Sequence, residues 1–566
     1  MNIIKLCDNK AASCMGKLEN SRVNSSELKS LVEVAYDADL TQQCGTVLVN
    51  ALVEHLGRVQ SGQGPVQHWR DPEDNIAEAI RWLEAAEFSD SKGVVSKFQE
   101  LVQLSLLRGQ NLNHPRCVGH QVPAPLPLVG LFDAVTTMTN QVQGVYEMGP
   151  WGIAAERAVI QQVGKQIGYQ DEEFGGLVTS GGSLGNLTAL LAARNEACPW
   201  IWNEGNRPCE SSEQWLGSDS RGGMSQRAQH ASRPDVTSPP VRIVNRSQMP
   251  VLIVQGDAHY CIDRAAGVMG IGQSQVMRVP LDGHRRMDVA VLEQMLTDLT
   301  AQQVPIIAVV AVACTTAVGA FDPLETIADV CERHQVWLHV DAAHGGAVCL
   351  SQKHRHLVKG LERADSVVFD AHKMMFVPAV CALVFYRNKK NRFRAFEQKA
   401  PYLFDPSAPD MSEYDNGVVT FECTKRSAAL GLWGALSIFG FELFEQLVDR
   451  VFLVAQHLFH LLDDTKEFEV VEAPQANIVV FRYFPEGVQR DENLASDECK
   501  LKVSQLQLRL RRAMLESGFG YLTQTALRDH IYLRCTIMNP LTNESHLAEL
   551  MAELRRIGPN LWSELQ

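Results

Sequence analysis

The stretch "VWLHVDAAHGGAVCL", residues 336–350, carries an apolar strand into Asp341 and then breaks into small residues and a glycine pair. Farther along, "SVVFDAHK", residues 366–373, is a second apolar strand that runs out to Lys373. Strands apolar on both faces are buried on both faces, as in a parallel sheet covered by helices. In such open α/β sheets, ligands bind outside the carboxyl ends of the strands. A carboxylate in a dry site is costly without a positive or hydrogen-bonding partner. A lysine buried beside it is expected to lose its proton through desolvation. Taken singly, either residue is more often half of a structural ion pair. At the ends of two strands, together, they point to a ligand.

The same pattern extends outward. "GLVTS" (176–180), "PVLIVQGD" (250–257), "VMRVP" (276–280), "PIIAVVAVACTT" (305–316) and "CALVFYR" (381–387) are short apolar runs separated by helical stretches. Alternation of this kind predicts βα units and a mostly parallel sheet over residues 106–425. Residues 1–105 repeat apolar positions at helix spacing, as in "DPEDNIAEAIRWLEAAEF" (71–88), and form an N-terminal helical segment. Residues 426–566 read as a smaller α+β domain, with strands at "ANIVVFRYF" (476–484) and "HIYLRCTIM" (530–538). Residues 203–248, rich in Ser, Gly, Pro and charge, are expected to be a long, partly disordered surface insertion. "FDPLETIADVCERH" (321–334) predicts a helix with Asp322 as N-cap, Pro323 at N1 and Glu325 at N3. "RSAALGLWGALSIFGFELFEQLVDRVFLVAQHLFHLL" (426–462) reads as one long packing helix, too interrupted by charge to span a membrane.

Composition excludes several classes. A net charge of −14 argues against a nucleic-acid surface, which would need a basic face. The 14 cysteines include no CxxC pair and no metal-like Cys/His spacing, so they read as reduced, buried thiols rather than a disulfide framework or metal site. The N-terminal residues carry no apolar stretch of signal-peptide length. A cytoplasmic protein with neither a membrane nor a nucleic-acid partner is expected.

A glycine-rich turn completes the ligand argument. "GLVTSGGSLGNLTALLAARNEA", residues 176–197, is a strand, a GG turn and a strong helix. Glycines let backbone N–H groups approach an anion, and the helix N-terminus adds positive partial charge. Such loops are common and most bind nothing; this one gains weight from its company. An amine that can form a Schiff base, a carboxylate that can hold a protonated ring nitrogen and an anion cradle match pyridoxal 5'-phosphate (PLP), which presents an aldehyde, a pyridine nitrogen and a phosphate.

Taken in order along the chain, these motifs resemble the group II PLP-dependent amino-acid decarboxylases, the family of glutamate, cysteine sulfinate, diaminobutyrate and aromatic amino-acid decarboxylases. The resemblance runs from "NHPRCVGHQVPAPLP" at 113 to "YLRCTIMNP" near the C-terminus. It implies the aspartate-aminotransferase-like fold type I, a homodimer with its active sites at the subunit interface, and a small-molecule amino-acid substrate. In "DAHK", Lys373 would carry the cofactor as a Schiff base and His372 would reach its phosphate. In "HVDAA", Asp341 would hold the pyridine nitrogen and Ala343 would pack under the ring. His259 of "GDAHYCIDRAAG" would stack on the other face, and Thr316 of "ACTTAVGAFDP" would lie near the ring hydroxyl. Gly182 and Ser183 of "TSGGSLGN" fall where the family binds phosphate. "APYLFDPS" resembles the catalytic loop of glutamate decarboxylases and makes Tyr402 the acid that protonates the carbanion carbon. Arg534 of "YLRCTIMNP" falls where relatives bind a substrate carboxylate.

The chain departs from the family pattern in two places. His344 follows "DAA" where an aromatic residue is common, and Asp370 stands three residues before the lysine where asparagine is common. The resemblance implies α-decarboxylation of an L-amino acid to its amine and CO₂. The same cofactor residues would also serve aldehyde formation, a lyase reaction or an aminotransferase, and a non-catalytic scaffold could keep the fold alone. The segment at 113 leans toward the diaminobutyrate enzymes and the loop at 402 toward the glutamate enzymes, so the substrate stays open.

Overall fold

The computed structural model describes residues 31–88, 90–170, 173–206, 214–216, 243–396, 413–490 and 496–566. The chain divides into two compact units, one of residues up to Asn111 with Glu516–Gly518, the other of Leu112–Leu515 with Phe519–Gln566. The first unit holds helices α1 (Ala38–Gln60), α2 (Pro72–Glu84) and α3 (Ser91–Arg108). Their starts follow from local chemistry. Asp37 accepts from Leu40 N–H at 2.8 Å and Asp90 from Gly93 N–H at 2.8 Å, while Pro72 opens α2, where its missing N–H is harmless.

The second unit is built on a seven-stranded sheet: β1 (Gly175–Thr179), β2 (Val251–Gln255), β3 (Val276–Val279), β4 (Ile306–Val312), β5 (Leu338–Asp341), β6 (Ser366–Asp370) and β7 (Ala382–Tyr386). The order is β1-β7-β6-β5-β4-β2-β3, and all pairings are parallel except those of β7, which runs antiparallel to both neighbours. Every strand read from the sequence in this region is present. Six of the seven are buried throughout, which is what continuous apolar runs require. Helices α4 (Pro127–Met138), α5 (Pro150–Ile167), α6 (Gly182–Ala197), α7 (Cys261–Val268), α8 (Val289–Ala301) and α9 (Leu324–His334) belong to the same unit. Together the mostly parallel sheet and its helices form the expected fold type I core. The chain also pairs residues 214–216 with 243–245 as a short antiparallel ribbon.

Register decides the site. Val312 of β4 lies opposite Asp341 of β5, Asp341 opposite Val368 of β6, and Ala382 of β7 opposite both Asp370 of β6 and Thr179 of β1. The carboxyl ends of β1, β4, β5 and β6 and the start of β7 therefore align on one side of the sheet. The glycine pair after Asp341 also has a packing reason. A Cβ on Gly345 would lie 2.6 Å from the Ala313 carbonyl oxygen, and one on Gly346 would lie 2.6 Å from the Phe369 ring. Any larger residue would push the turn off the sheet.

Two local expectations are corrected. Asp322 does not cap α9; Pro323 holds that position without a side-chain cap. The Asp322 carboxylate instead accepts from Met287 N–H at 2.7 Å and Val312 N–H at 2.8 Å, which ties the end of β4 to a neighbouring loop. The long helix of 426–462 is two helices, α10 (Ala429–Phe439) and α11 (Glu442–Asp463), broken at Gly440 with φ +63° and ψ −166°, a conformation essentially confined to glycine. The remaining elements are α12 (Asp497–Ser517), α13 (Glu544–Ser563) and a four-stranded antiparallel sheet. Its strands are β8 (Phe468–Val470), β9 (Ile478–Tyr483), β10 (Thr523–Leu527) and β11 (His530–Thr536), in the order β8-β9-β11-β10. β9 and β11 match the sequence reading, whereas β8 and β10 were not apparent in it. Among the described residues, no helix is long and apolar enough to cross a membrane.

Candidate active site

The aligned strand ends open into a cavity of about 390 Å³, within the range typical of small-molecule sites. Gly182, Ser183, His259, Thr316, Asp341, Ala343, His372 and Lys373 all line it, so eight residues drawn from five separate motifs meet in one place. Asp341 ends β5, and one of its carboxylate oxygens accepts from Ala343 N–H at 3.1 Å. Lys373 stands in the turn after β6, with its backbone N–H donating to the Asp370 carbonyl at 3.0 Å.

The electrostatics of the lysine differ from the sequence expectation. Burial, the largest single influence, pulls its pKa down, but the charges of Asp370 and Asp341 and a hydrogen bond to Asp370 outweigh it. The net direction is upward, so the amine is held as ammonium. Its direct partner is Asp370, with Nζ 3.1 Å from Oδ2. Sequence reasoning treated Asp370 only as a departure from the family pattern. The signal available was its position, three residues before the lysine at the end of an apolar strand.

The cradle forms where β1 turns into α6. Gly181 has φ +132°, no side chain caps the helix, and Gly181, Gly182 and Ser183 line the cavity, so the positive end of the helix dipole lies at it. A Cβ on Gly182 would fall 2.7 Å from Asp370 Oδ2, so the close approach of helix and carboxylate requires glycine. His372 Nδ1–H donates to the Cys381 carbonyl at 2.9 Å, which turns Nε2 toward Asp370, 3.6 Å away. Behind the cradle a buried pair holds β1 in place: Lys425 Nζ contacts Glu156 at 2.7 Å and donates to the Val178 carbonyl at 2.6 Å. An amine, a buried carboxylate and an uncapped helix N-terminus around one cavity fit the aldehyde, ring nitrogen and phosphate of PLP.

A buried polar network underlies this floor. Asn186 of α6 donates to Cys261 Sγ at 3.3 Å and accepts from His339 Nε2–H at 2.9 Å, while His339 Nδ1 accepts from the Ser366 hydroxyl at 2.8 Å. Burial pulls His339 down to about 4, so it is neutral and acts as a spacer between α6 and β5. Burial likewise lowers His259, against the opposing charge of Asp341, and leaves a neutral imidazole on the cavity wall. His344 also lines the cavity. Its Nε2–H donates to Asn477 Oδ1 at 2.8 Å, and burial followed by the Lys373 charge pulls it down to about 3. It is a neutral wall residue. Two of the cysteines taken as core, Cys261 and Cys314, line the cavity as well, and burial pushes Cys261 up to about 12.

Arg534 does not line the cavity. It is buried on β11, and its guanidinium donates to the Thr536 hydroxyl at 3.2–3.3 Å. Its charge nevertheless acts on Cys314 and His344, both in the cavity wall. Among the described residues no carboxylate forms an ion pair with it. Tyr402 lies outside the described residues.

The pyridoxal-dependent decarboxylase conserved domain matches residues 218–484. Human acidic amino acid decarboxylase is 27% identical over 499 residues, covering 88% of this chain and 87% of that protein. The aromatic-L-amino-acid decarboxylase of Bacillus atrophaeus is 26% identical over 526 residues, covering 92% and 96%. The crystal structure of mouse CSAD superposes with a TM-score of 0.75 at 24% identity, over 92% of this chain and 98% of that one, a likeness of fold. With the motifs in family order and their residues around one cavity, the chain carries a pyridoxal-dependent decarboxylase conserved domain over residues 218–484 and is similar along most of its length to PLP-dependent amino-acid decarboxylases, which are carboxy-lyases.

Proposed function

We propose that this protein α-decarboxylates an L-amino acid with an acidic side chain, yielding the corresponding amine and CO₂. The observation that carries the reading is the Lys373 amine, 3.1 Å from Asp370, in a cavity shared with Asp341, His259 and the Gly182–Ser183 cradle. Bound there, PLP supplies an aldehyde and an electron-accepting ring. Lys373 would hold it covalently, Asp341 would keep a proton on the ring nitrogen, and the neutral His259 would cover one ring face opposite Ala343. Thr316 would reach the ring hydroxyl, and Ser183 and His372 would reach the phosphate. Tyr402 is proposed as the proton donor to the carbon that loses CO₂, on the strength of the family resemblance alone.

The substrate class rests on charge and wall chemistry. Arg534 is a buried guanidinium with no carboxylate partner among the described residues, and its charge, with that of Arg511, also acts on the solvent-exposed His120. A cluster this cationic beside the cavity favours a ligand with carboxylate to spare. Among the described residues no Phe, Tyr or Trp lines the cavity, which disfavours an aromatic side chain. The name of the human relative points the same way. Composition supports a cytoplasmic enzyme, and the apolar side chains left exposed on α4, α5 and α10 support a homodimer.

The test is to incubate the protein with PLP and an equimolar mixture of L-amino acids, including diaminobutyrate and cysteine sulfinate, and to search by mass spectrometry for products lighter by one CO₂. The expected product is the amine of an acidic amino acid, absent with Lys373→Ala. An aldehyde, or a product from an aromatic or basic amino acid, overturns the respective part of the proposal.

A further inference from the structure

Asp370 is more deeply placed than an incidental neighbour of the lysine. It is 3% exposed, and Oδ2 faces Lys373 Nζ at 3.1 Å and His372 Nε2 at 3.6 Å. Its other oxygen, Oδ1, is buried without a hydrogen-bond partner among the described residues. Both oxygens lie against the first residue of α6, close enough that only a glycine fits there. A carboxylate so enclosed has one strong cationic partner, and that partner is the amine the cofactor must take.

An ammonium group has no lone pair, so it cannot attack an aldehyde. Lys373 must first release a proton, and whatever stabilises its charge raises the pH at which it does so. We propose that Asp370 is a positioning residue that parks Lys373 as an ammonium ion and thereby sets the pH at which the amine is released to capture the aldehyde of PLP. The inference rests on the reading of Lys373 as the cofactor lysine. The step is balanced: Lys373 gives one proton to solvent, the freed lone pair forms the C–N bond, and the aldehyde oxygen leaves as water. Other groups act on the same amine from every side. Asp341 on β5 adds to its stabilisation, as does Cys261 on α7 in its thiolate form, while His259, His344 and Cys314, which line the same cavity, respond to its charge. Among the described residues Asp370 alone pairs directly with the amine, so its removal should dominate.

The test follows the absorbance of PLP on rapid mixing with the cofactor-free protein across pH, for the wild type and Asp370→Asn, with Lys373→Ala defining capture at the lysine. Asparagine keeps the size and removes the charge. The expected result is a capture midpoint at least one pH unit lower in Asp370→Asn, seen near neutrality as roughly tenfold or faster capture, since each unit is a tenfold change in the neutral fraction. Pyridoxal, which lacks the phosphate, is run in parallel. The same shift with both probes supports action through Lys373. A shift with PLP only means that the substitution acts on the cradle, and overturns the proposal. An unchanged midpoint, with capture still abolished by Lys373→Ala, overturns it and leaves the function intact, whereas capture that survives Lys373→Ala overturns both. Near-ultraviolet circular dichroism identifies a misfolded variant, and Asp370→Ser then replaces it in the same comparison.

Discussion

Arg534 poses the sharpest question for a single residue, because a guanidinium taken out of water without a carboxylate is costly unless a ligand supplies one. Burial pulls its pKa down, yet arginine stays charged at any pH the protein meets. Replacement by methionine removes the charge and keeps much of the volume. The expected outcome is a KM for the acidic substrate raised by about 10- to 100-fold, from the loss of a charge-assisted bond of roughly 1.5–3 kcal/mol, with PLP capture unchanged. Steady-state kinetics beside a cofactor titration check it, and an unchanged KM removes Arg534 from the substrate site. At this scale the sequence was informative where a residue's chemistry clashes with its surroundings. Lys373 and Asp341 stand out because charge is rare at the end of an apolar strand. Asp370, the last residue of β6, carried the same signal but was read only as a departure from the family pattern. Asn186 and Cys261 did not stand out, because what matters about them is a partner reached through the fold, His339 and Cys261 for the amide and the amide for the thiol.

Elements were legible to the extent that their signals are local. The runs that became β1, β2 and β4–β7 could be read because two-sided burial leaves no polar alternation to misread. β8 and β10 were missed because the first has only three residues and the second, "TQTAL", is mostly polar and half-exposed. Apolar periodicity continues across Gly440, so the break between α10 and α11 leaves little trace in the pattern. Asp322 misled in the opposite way, since D-P-x-E carries a helix-start signature, yet tertiary contacts claim the carboxylate. This has a measurable consequence for pH. Burial raises the Asp322 carboxyl from about 3.8 to about 7, against the pull of two backbone N–H groups. The folded state therefore holds this proton more tightly than the unfolded one. The associated stability is full below pH 4 and is lost as pH rises through 7. The thermal midpoint of the wild type relative to Asp322→Asn should accordingly decline between pH 4 and pH 7, as read by differential scanning fluorimetry. A difference that grows with pH would mean that the carboxylate is buried in its charged form.

At the scale of the molecule, three helices of the sheet-bearing unit leave an apolar surface uncovered. α4, α5 and α10 pack through Trp433, which meets Phe132 at 6.5 Å and Trp151 at 5.4 Å edge to face. Val135, Met138 and Trp151 remain more than half exposed, as does Ile438 of α10. Monomeric proteins seldom leave such surface to water. The wild type should sediment as a dimer at micromolar concentration, and Val135→Glu should weaken the association at least tenfold. A monomeric wild type would remove the dimer from the proposal. The antiparallel strand β7 has a consequence of another kind, in the order of synthesis. β1 carries the cradle and β6 leads to the lysine; they are far apart in the chain, and in the sheet β7, residues 382–386, is hydrogen-bonded between them. On the ribosome, the glycine turn emerges long before the strand that anchors it. The growing chain therefore cannot close this side of the sheet until Tyr386 has cleared the exit tunnel, and Lys425, which also holds β1, emerges later still.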